Sequence, residues 1–341
     1  MKRLLIFLCA ALIFSFAFLK RELIGYIGRQ AAGQFKIIWY SRSVDDVLAD
    51  PSFPDSLKAK IRMVQEVRRF GVDSIGLLDT KNYTTLYDQH GKPLLWVLTA
   101  SERYRLRPKE WSFPLIGKVT YKGFFSRAEA LSEEKNLKEE GYDTDVGNVG
   151  GWSTLGWFRD PLLSGMLHRS DGALANLILH ELTHATVYVK GNPVFNENIA
   201  TFIGNKGAFL FLQHKYGKES RQYSHYAGSM EDEKLFNQFI LKSAHRLDSL
   251  YVSFEQGNFP ETLKDSLKTL LLRDIFAGAD TLSLHDAGRY RKLYRRKELP
   301  GNAFFISFRE YDSRQDSLEA VWREKFREDT RSFMEYFRSA Q

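Results

Sequence analysis

Two histidines four residues apart, with a glutamate directly after the first, could hold and work a metal ion. The run Leu177-Ile178-Leu179-His180-Glu181-Leu182-Thr183-His184-Ala185-Thr186-Val187 reads H-E-x-x-H at His180, Glu181 and His184. On an α-helix, residues four apart project within about 40° of each other, so both imidazoles can reach one ion. Neutral imidazole suits zinc, and three protein ligands leave a fourth position for water. Glu181 falls beside that position rather than on the ion, where a general base belongs. From Ala173 to Val189, Glu181 is the one charged residue, which is the pattern of a buried helix and not of a surface one. A buried helix holds two histidines and a carboxylate only if something compensates them, and a metal does so. The competing reading is a pair of core histidines hydrogen-bonded to their neighbours, with Glu181 pairing one of them.

The elements around this run must bring a third ligand. Ser170-Asp171 offers an N-cap, the apolar helix is expected to run to Lys190, and Gly191-Asn192-Pro193 ends it. A second helix is expected over Val194 to Gly204. Glu197 lies 13 positions after His184 (197 − 184), and a tight turn at Gly191–Pro193 would fold the second helix back against the first. That hairpin makes His180, His184 and Glu197 the expected ligands of one zinc per chain. Alternatively, Glu197 is an acidic residue in a first helical turn, favoured there by the helix dipole.

The run H-E-L-T-H followed by F-N-E-N-I-A-T-F resembles the putative aminopeptidase family of bacterial envelope proteins, a group of glutamate-zincin type. Further matches are Arg69-Phe70, Trp111-Ser112-Phe113-Pro114, Tyr121-Lys122-Gly123-Phe124-Phe125, Gly141-Tyr142-Asp143 and the stretch from Ser153 to Leu162. The likeness covers residues 28 to 210 closely and the rest loosely, with Asn302-Ala303 and Tyr311 as C-terminal landmarks. It implies a zinc metallopeptidase. It also implies a substrate-pairing strand over Asp143 to Val149, with Trp152 to Asp160 walling the cleft, which makes Asp143, Val146, Gly150 and Trp152 the candidate substrate contacts. An ordinary sheet edge guarded by Asp143 and Asp145 would read the same way. Tyr311 is the first candidate for the oxyanion donor by resemblance, with Tyr223 and His225 behind it. Two departures stand out: there is no lipid-bearing cysteine pattern, and Thr201 stands where the best-known glutamate zincins carry an aspartate that orients a histidine.

At 341 residues, 43% of them hydrophobic and 27% charged, the chain has ample length for a folded core. The net charge of +7 would suit an anionic partner, but Lys2, Arg3, Lys20 and Arg21 merely flank an N-terminal apolar segment. The dense basic run from Arg289 to Lys297 reads as a solvated helix face, and no nucleic-acid motif accompanies it. Leu4 to Leu19 is a run of 16 residues, apolar except for Ser15, and longer than a typical signal-peptide core. Residues 1–22 are therefore expected to form an uncleaved membrane anchor, with a cleaved signal as the alternative, and the catalytic part to lie in the cell envelope outside the cytoplasm. Cys9, the single cysteine, falls in this run, which rules out disulfides and thiolate ligands elsewhere.

The remaining pattern predicts a scaffold helix from Pro54 to Gly71, a strand at Leu94–Leu98, a charged helix from Ser126 to Glu140 and an edge strand from Tyr142 to Val146. Helical periodicity dominates after Lys206, including Ser229 to Tyr251 and Ser317 to Phe337. The fold class expected is α+β and mainly helical, a zincin-like metallopeptidase with a small sheet and an active-site helix pair. Residues 23–210 would form the catalytic region and residues 211–341 a helical C-terminal lobe. The activity expected is zinc-dependent peptide hydrolysis of aminopeptidase type, with Glu181 as base and a peptide as partner. The alternatives are a membrane-tethered, non-catalytic binding module and a zinc hydrolase of a non-peptide substrate.

Overall fold

Local sequence signals set most element boundaries in the computed structural model, which describes residues 21–113, 117–148, 159–311 and 315–339. Helix α1 (Arg21–Tyr40) leads to a short strand β1 (Arg42–Ser43), and Ser43 caps helix α2 (Val44–Ala49) through its hydroxyl. Helix α3 (Asp55–Phe70) starts after Pro54 and passes through one π-helical turn (Gly71–Ile75) that ends at Gly76 in the left-handed region. Strands β2 (Thr85–Tyr87), β3 (Trp96–Glu102), β4 (Trp111–Phe113), β5 (Gly117–Val119) and β6 (Tyr121–Phe124) follow. Ser126 caps helix α4 (Arg127–Glu139), and Gly141, at φ 87°, turns the chain into β7 (Tyr142–Asn148). The strand expected at Leu94–Leu98 is displaced: β3 runs from Trp96 to Glu102 because its pairing with β7 reaches as far as Glu102 opposite Tyr142.

After β8 (Leu162–Leu163) and a 3-10 turn (Ser164–His168) come the two helices that carry the candidate ligands, α5 (Asp171–Thr186) and α6 (Pro193–Tyr216). The remaining helices are α7 (Arg221–Gln256), α8 (Glu261–Ala279), α9 (Ala287–Tyr294), α10 (Asn302–Tyr311), α11 (Gln315–Glu324) and α12 (Thr330–Ser339). The periodic stretch from Ser317 to Phe337 is thus two helices, broken where Arg327 and Glu328 adopt positive φ angles of 48° and 66°. The fold is α+β and mainly helical.

The sheets among the described residues are small. One is β1-β2-β8, with β1 antiparallel and β8 parallel to β2. Another is the antiparallel β6-β3-β7, in which β7 is an edge, and β4-β5 is a hairpin. The main core gathers Val64 and Val67 of α3, Leu174, Ile178, Leu179 and Leu182 of α5, and Ile203 and Phe211 of α6. Trp322 of α11 and Phe333 of α12 return to the same core. A second core is built from α7, α8, α9 and α10 around Phe236, Leu247, Ile275 and Phe305. Residue 210 falls inside α6, so the helical C-terminal half is divided between the two cores and begins within a continuous helix.

Asp171, the first residue of α5, fastens three helices at one end of the α5–α6 pair. Its carboxylate accepts from Lys60 of α3 and, at 2.8 Å, from the Tyr216 hydroxyl at the end of α6. Burial alone would raise this carboxyl, but the bonds from Lys60 and Tyr216 outweigh it and hold it below its ordinary value. A carboxyl so lowered stabilises the fold above its unfolded value of about 3.9, and loses that contribution as pH falls through its folded value. Asp171→Asn is therefore expected to cost about 1–2 kcal/mol at neutral pH. Urea midpoints measured at successively lower pH should show the gap to wild type closing once the medium is more acid than about pH 4.

Candidate metal centre

Helix α5 ends at Thr186, four residues before the Lys190 expected from composition. Val187 is extended, at φ −130° and ψ 116°. The next residues are held out of the helix by Asn196 of α6. Its amide oxygen accepts from Val189 N–H at 2.8 Å, and its amide nitrogen donates to Val189 C=O at 3.0 Å. Asn196 is buried, and Asn192 caps α6 by accepting from Phe195 N–H. The turn is thus set by side chains at the start of α6, one residue before Glu197. Sequence periodicity did not reveal the role of Asn196, because the partner is a backbone seven residues upstream.

The pair packs closely along its length. A Cβ on Gly204 of α6 would lie 3.1 Å from the His180 Cβ and 3.1 Å from the Asn176 backbone oxygen of α5. A Cβ on Gly207 would lie 2.7 Å from Leu179 and 2.8 Å from Ile75. Asn176, one turn before His180, donates to Asn205 of α6 at 2.6 Å and to the Tyr226 hydroxyl of α7 at 2.9 Å. Polar bonds and absent side chains together fix how far apart the two helix axes stand.

The result is a three-residue cluster. The Nε2 atoms of His180 and His184 are 3.2 Å apart, Glu197 Oε2 is 3.6 Å from His180 Nε2, and Glu197 Oε1 is 3.5 Å from His184 Nε2. Four-coordinate zinc with bonds near 2.05 Å needs ligand atoms about 3.3 Å apart, so these separations fit one ion. The side chains of His180, His184 and Glu197 are 19%, 9% and 37% exposed, which leaves the cluster open on the Glu197 side. Burial would push Glu197 up, yet its bonds to His180 and His184 hold it down to about 2. Burial disfavours the charged form of His184, but the Glu197 carboxylate outweighs it and raises the ring. Two imidazole nitrogens this close cannot both carry a proton toward each other, and a shared cation satisfies both together with the carboxylate. His180, His184 and Glu197 could thus hold a metal ion.

Glu181 does not join that set. Its Oε2 is enclosed and has no hydrogen-bond partner among the described residues. Its carboxyl is raised, first by burial, and further by the charges of Asp160 and Glu197, against the pull of His180 and His184. Glu181 is thus a buried carboxyl of raised proton affinity next to three residues that could hold a metal ion.

A family model described as Putative aminopeptidase matches residues 25–341. The chain belongs to that family. No curated protein and no solved structure matches it.

Other candidate residues of this aminopeptidase-family chain are placed differently. Tyr223 packs its ring 5.3 Å from Phe209, which stands 12 residues beyond Glu197 on α6, about 18 Å along the helix. His225 is exposed two residues further on in α7. The Tyr311 side chain, Gly150 and Trp152 lie outside the described residues. Asp143 is engaged by its own fold: its Oδ2 accepts from Lys268 and, at 3.0 Å, from Asn302 N–H at the start of α10. Val146 turns into the small core of Leu98, Phe124, Ala130 and Leu137. Asn302, a landmark of the resemblance, is fully buried; it donates to Glu102 C=O at 2.8 Å and accepts from the Tyr251 hydroxyl at 2.6 Å. The basic run is paired at Arg291 and Arg295 with Asp280 and at Arg296 with Asp145.

Two substitutions test how the pair is held. Asn196→Ala removes both bonds to Val189 and should cost about 1–3 kcal/mol in chemical denaturation. Gly204→Ala forces α6 away from His180 and should weaken metal retention about 10-fold or more by competition with a chelator, a loss that Gly207→Ala, facing flexible side-chain ends, should show less strongly.

Proposed function

We propose that this chain is a zinc-dependent peptide hydrolase of aminopeptidase type, with His180, His184 and Glu197 as the metal ligands and Glu181 as the general base. The observation that carries this reading is the convergence of three ligand atoms within 4.8 Å of one another next to a buried, unpartnered carboxylate. In this reading the helix pair and the ligand set would make the chain a zincin of the glutamate type. Bound there, zinc supplies Lewis acidity toward a peptide carbonyl and makes water acidic enough to attack near neutral pH. Glu181 accepts the proton lost by the attacking water and delivers it to the departing amine nitrogen, so that one carboxyl serves as base and then as acid. Its enclosure, which raises its proton affinity, suits both steps.

The substrate backbone would run along the edge of β7 that no strand among the described residues pairs, the other edge being held by β3. In that arrangement Asp143 and Val146 act through their backbone, because the Asp143 side chain is held by Lys268 and the Val146 side chain is packed inward. The apolar run Leu4–Leu19 supports a membrane-anchored enzyme working outside the cytoplasm. Among the described residues no helix is long and apolar enough to cross a membrane.

The test is a panel of amino-acid 4-nitroanilides and short peptides with free or blocked N-termini, given to the zinc-loaded wild type and to Glu181→Gln. The wild type should release the N-terminal residue from free amines, and Glu181→Gln should keep its zinc while losing hydrolysis by about 100-fold or more. Equal hydrolysis by the two proteins would contradict the role of Glu181.

A further inference from the structure

Helix α1 turns its polar groups toward the protein and an apolar side away from it. Tyr26, Gln30, Gly33 and Ile37 follow one another at helical spacing and form the inward face. The Tyr26 hydroxyl and the Gln30 amide both donate to Gly123 C=O of β6, at 2.8 and 3.1 Å. A Cβ on Gly33 would come within 2.2 Å of the Phe125 ring, and Ile37 is buried in the main core. These contacts fix the rotation of the helix about its own axis.

The opposite side carries Ile24, Ile27, Ala31, Phe35 and Ile38 at intervals of three or four residues, with Trp39 beside them, and all six are exposed. Phe35 and Trp39 are 62% and 70% exposed and stack on each other with ring centroids 5.5 Å apart. Arg29 and Lys36, seven residues apart, fall along one border of this stripe, and Arg29 donates to Glu129 of α4 at 3.0 Å. A surface helix ordinarily shows its charged face to water, so an uncharged stripe about 22 Å long is an unfavourable thing to leave there.

The chain itself narrows what covers it. Lys20 alone separates α1 from the apolar run Leu4–Leu19. A return of that run along the stripe would need a loop of about two to five residues, more than Lys20 provides. A second copy is disfavoured by size, since a stable protein interface takes about 20–30 residues a side and the stripe is one face of one helix. A bilayer surface has neither requirement. It accepts an apolar face one helix wide with aromatic rings at its level, and the run immediately before α1 has the composition to enter the same bilayer. We propose that the outward face of α1 lies in the surface of a phospholipid bilayer, with Phe35 and Trp39 at the boundary between headgroups and acyl chains. The domain would then be held against the membrane along α1 and not by its N-terminal segment alone. This inference rests on the membrane reading of Leu4–Leu19 and is independent of the peptidase reading.

The full chain with Cys9→Ser, carrying Ile24→Cys, Phe35→Cys or Leu270→Cys in turn, can be nitroxide-labelled, reconstituted with phosphatidylcholine vesicles and floated on a density gradient. Leu270, exposed on α8, is the aqueous reference. The chain should float, and the ratio of collisions with oxygen to collisions with a water-soluble nickel chelate should be about 5-fold or more higher at positions 24 and 35 than at 270. A chain that floats with positions 24 and 35 as open to the chelate as 270 would overturn the contact and leave the membrane reading of Leu4–Leu19 standing. Spin–spin broadening between labels at position 35 of separate copies, without the same at 270, would overturn it in favour of a second copy. Failure to float would overturn both membrane readings.

Discussion

The distance between α5 and α6 is the constraint on which the site depends. Histidines at consecutive turns of one helix make only two corners of a metal site, and the third must come from a neighbour close enough to share the ion. Gly204 and Gly207 permit that approach because a Cβ at either position would meet α5 or its neighbours. Asn196 closes one end of the hairpin on Val189, and Asp171 closes the other on Tyr216 and Lys60. Between these fasteners Asn176 joins α5 to α6 and α7. Side-chain positions at the cluster follow from these contacts more than from anything in the motif itself.

Electrostatics then divides labour among chemically similar groups. Glu197 and Glu181 are both partly buried glutamates within one site, yet the first is held down by two imidazoles and the second is raised by burial and by other acids. In the proposed mechanism the first remains a carboxylate ligand and the second exchanges a proton. Glu197 lies 3.5–3.6 Å from the two histidines, whereas one oxygen of Glu181 is enclosed without a hydrogen-bond partner among the described residues.

Much of this was legible in the chain itself. Helix geometry makes the four-residue spacing of His180 and His184 meaningful, and Gly191-Asn192-Pro193 announces the turn that returns Glu197. The charged helix α4, with Ser126 and Gly141 at its ends, is likewise written locally. What was not legible depends on partners distant in sequence. The true end of α5 is set by Asn196, and the extent of β3 by its pairing with β7. The Asp143 carboxylate is occupied by Lys268 and Asn302, 125 and 159 residues away. The left-handed backbone of Tyr83 has no signature, since periodicity and turn propensity would assign a bulky aromatic there to extended chain.

The claim that most of this rests on is that the hairpin assembles one metal site from both helices. The direct measurement is elemental analysis of the purified protein after dialysis, for wild type, His184→Ala and Glu197→Ala. The account predicts about one zinc per chain in the wild type and its loss in both variants, so that a residue on α6 matters as a residue on α5 does. A wild type without zinc even after reconstitution, or a Glu197→Ala variant that retains the full complement, would contradict it.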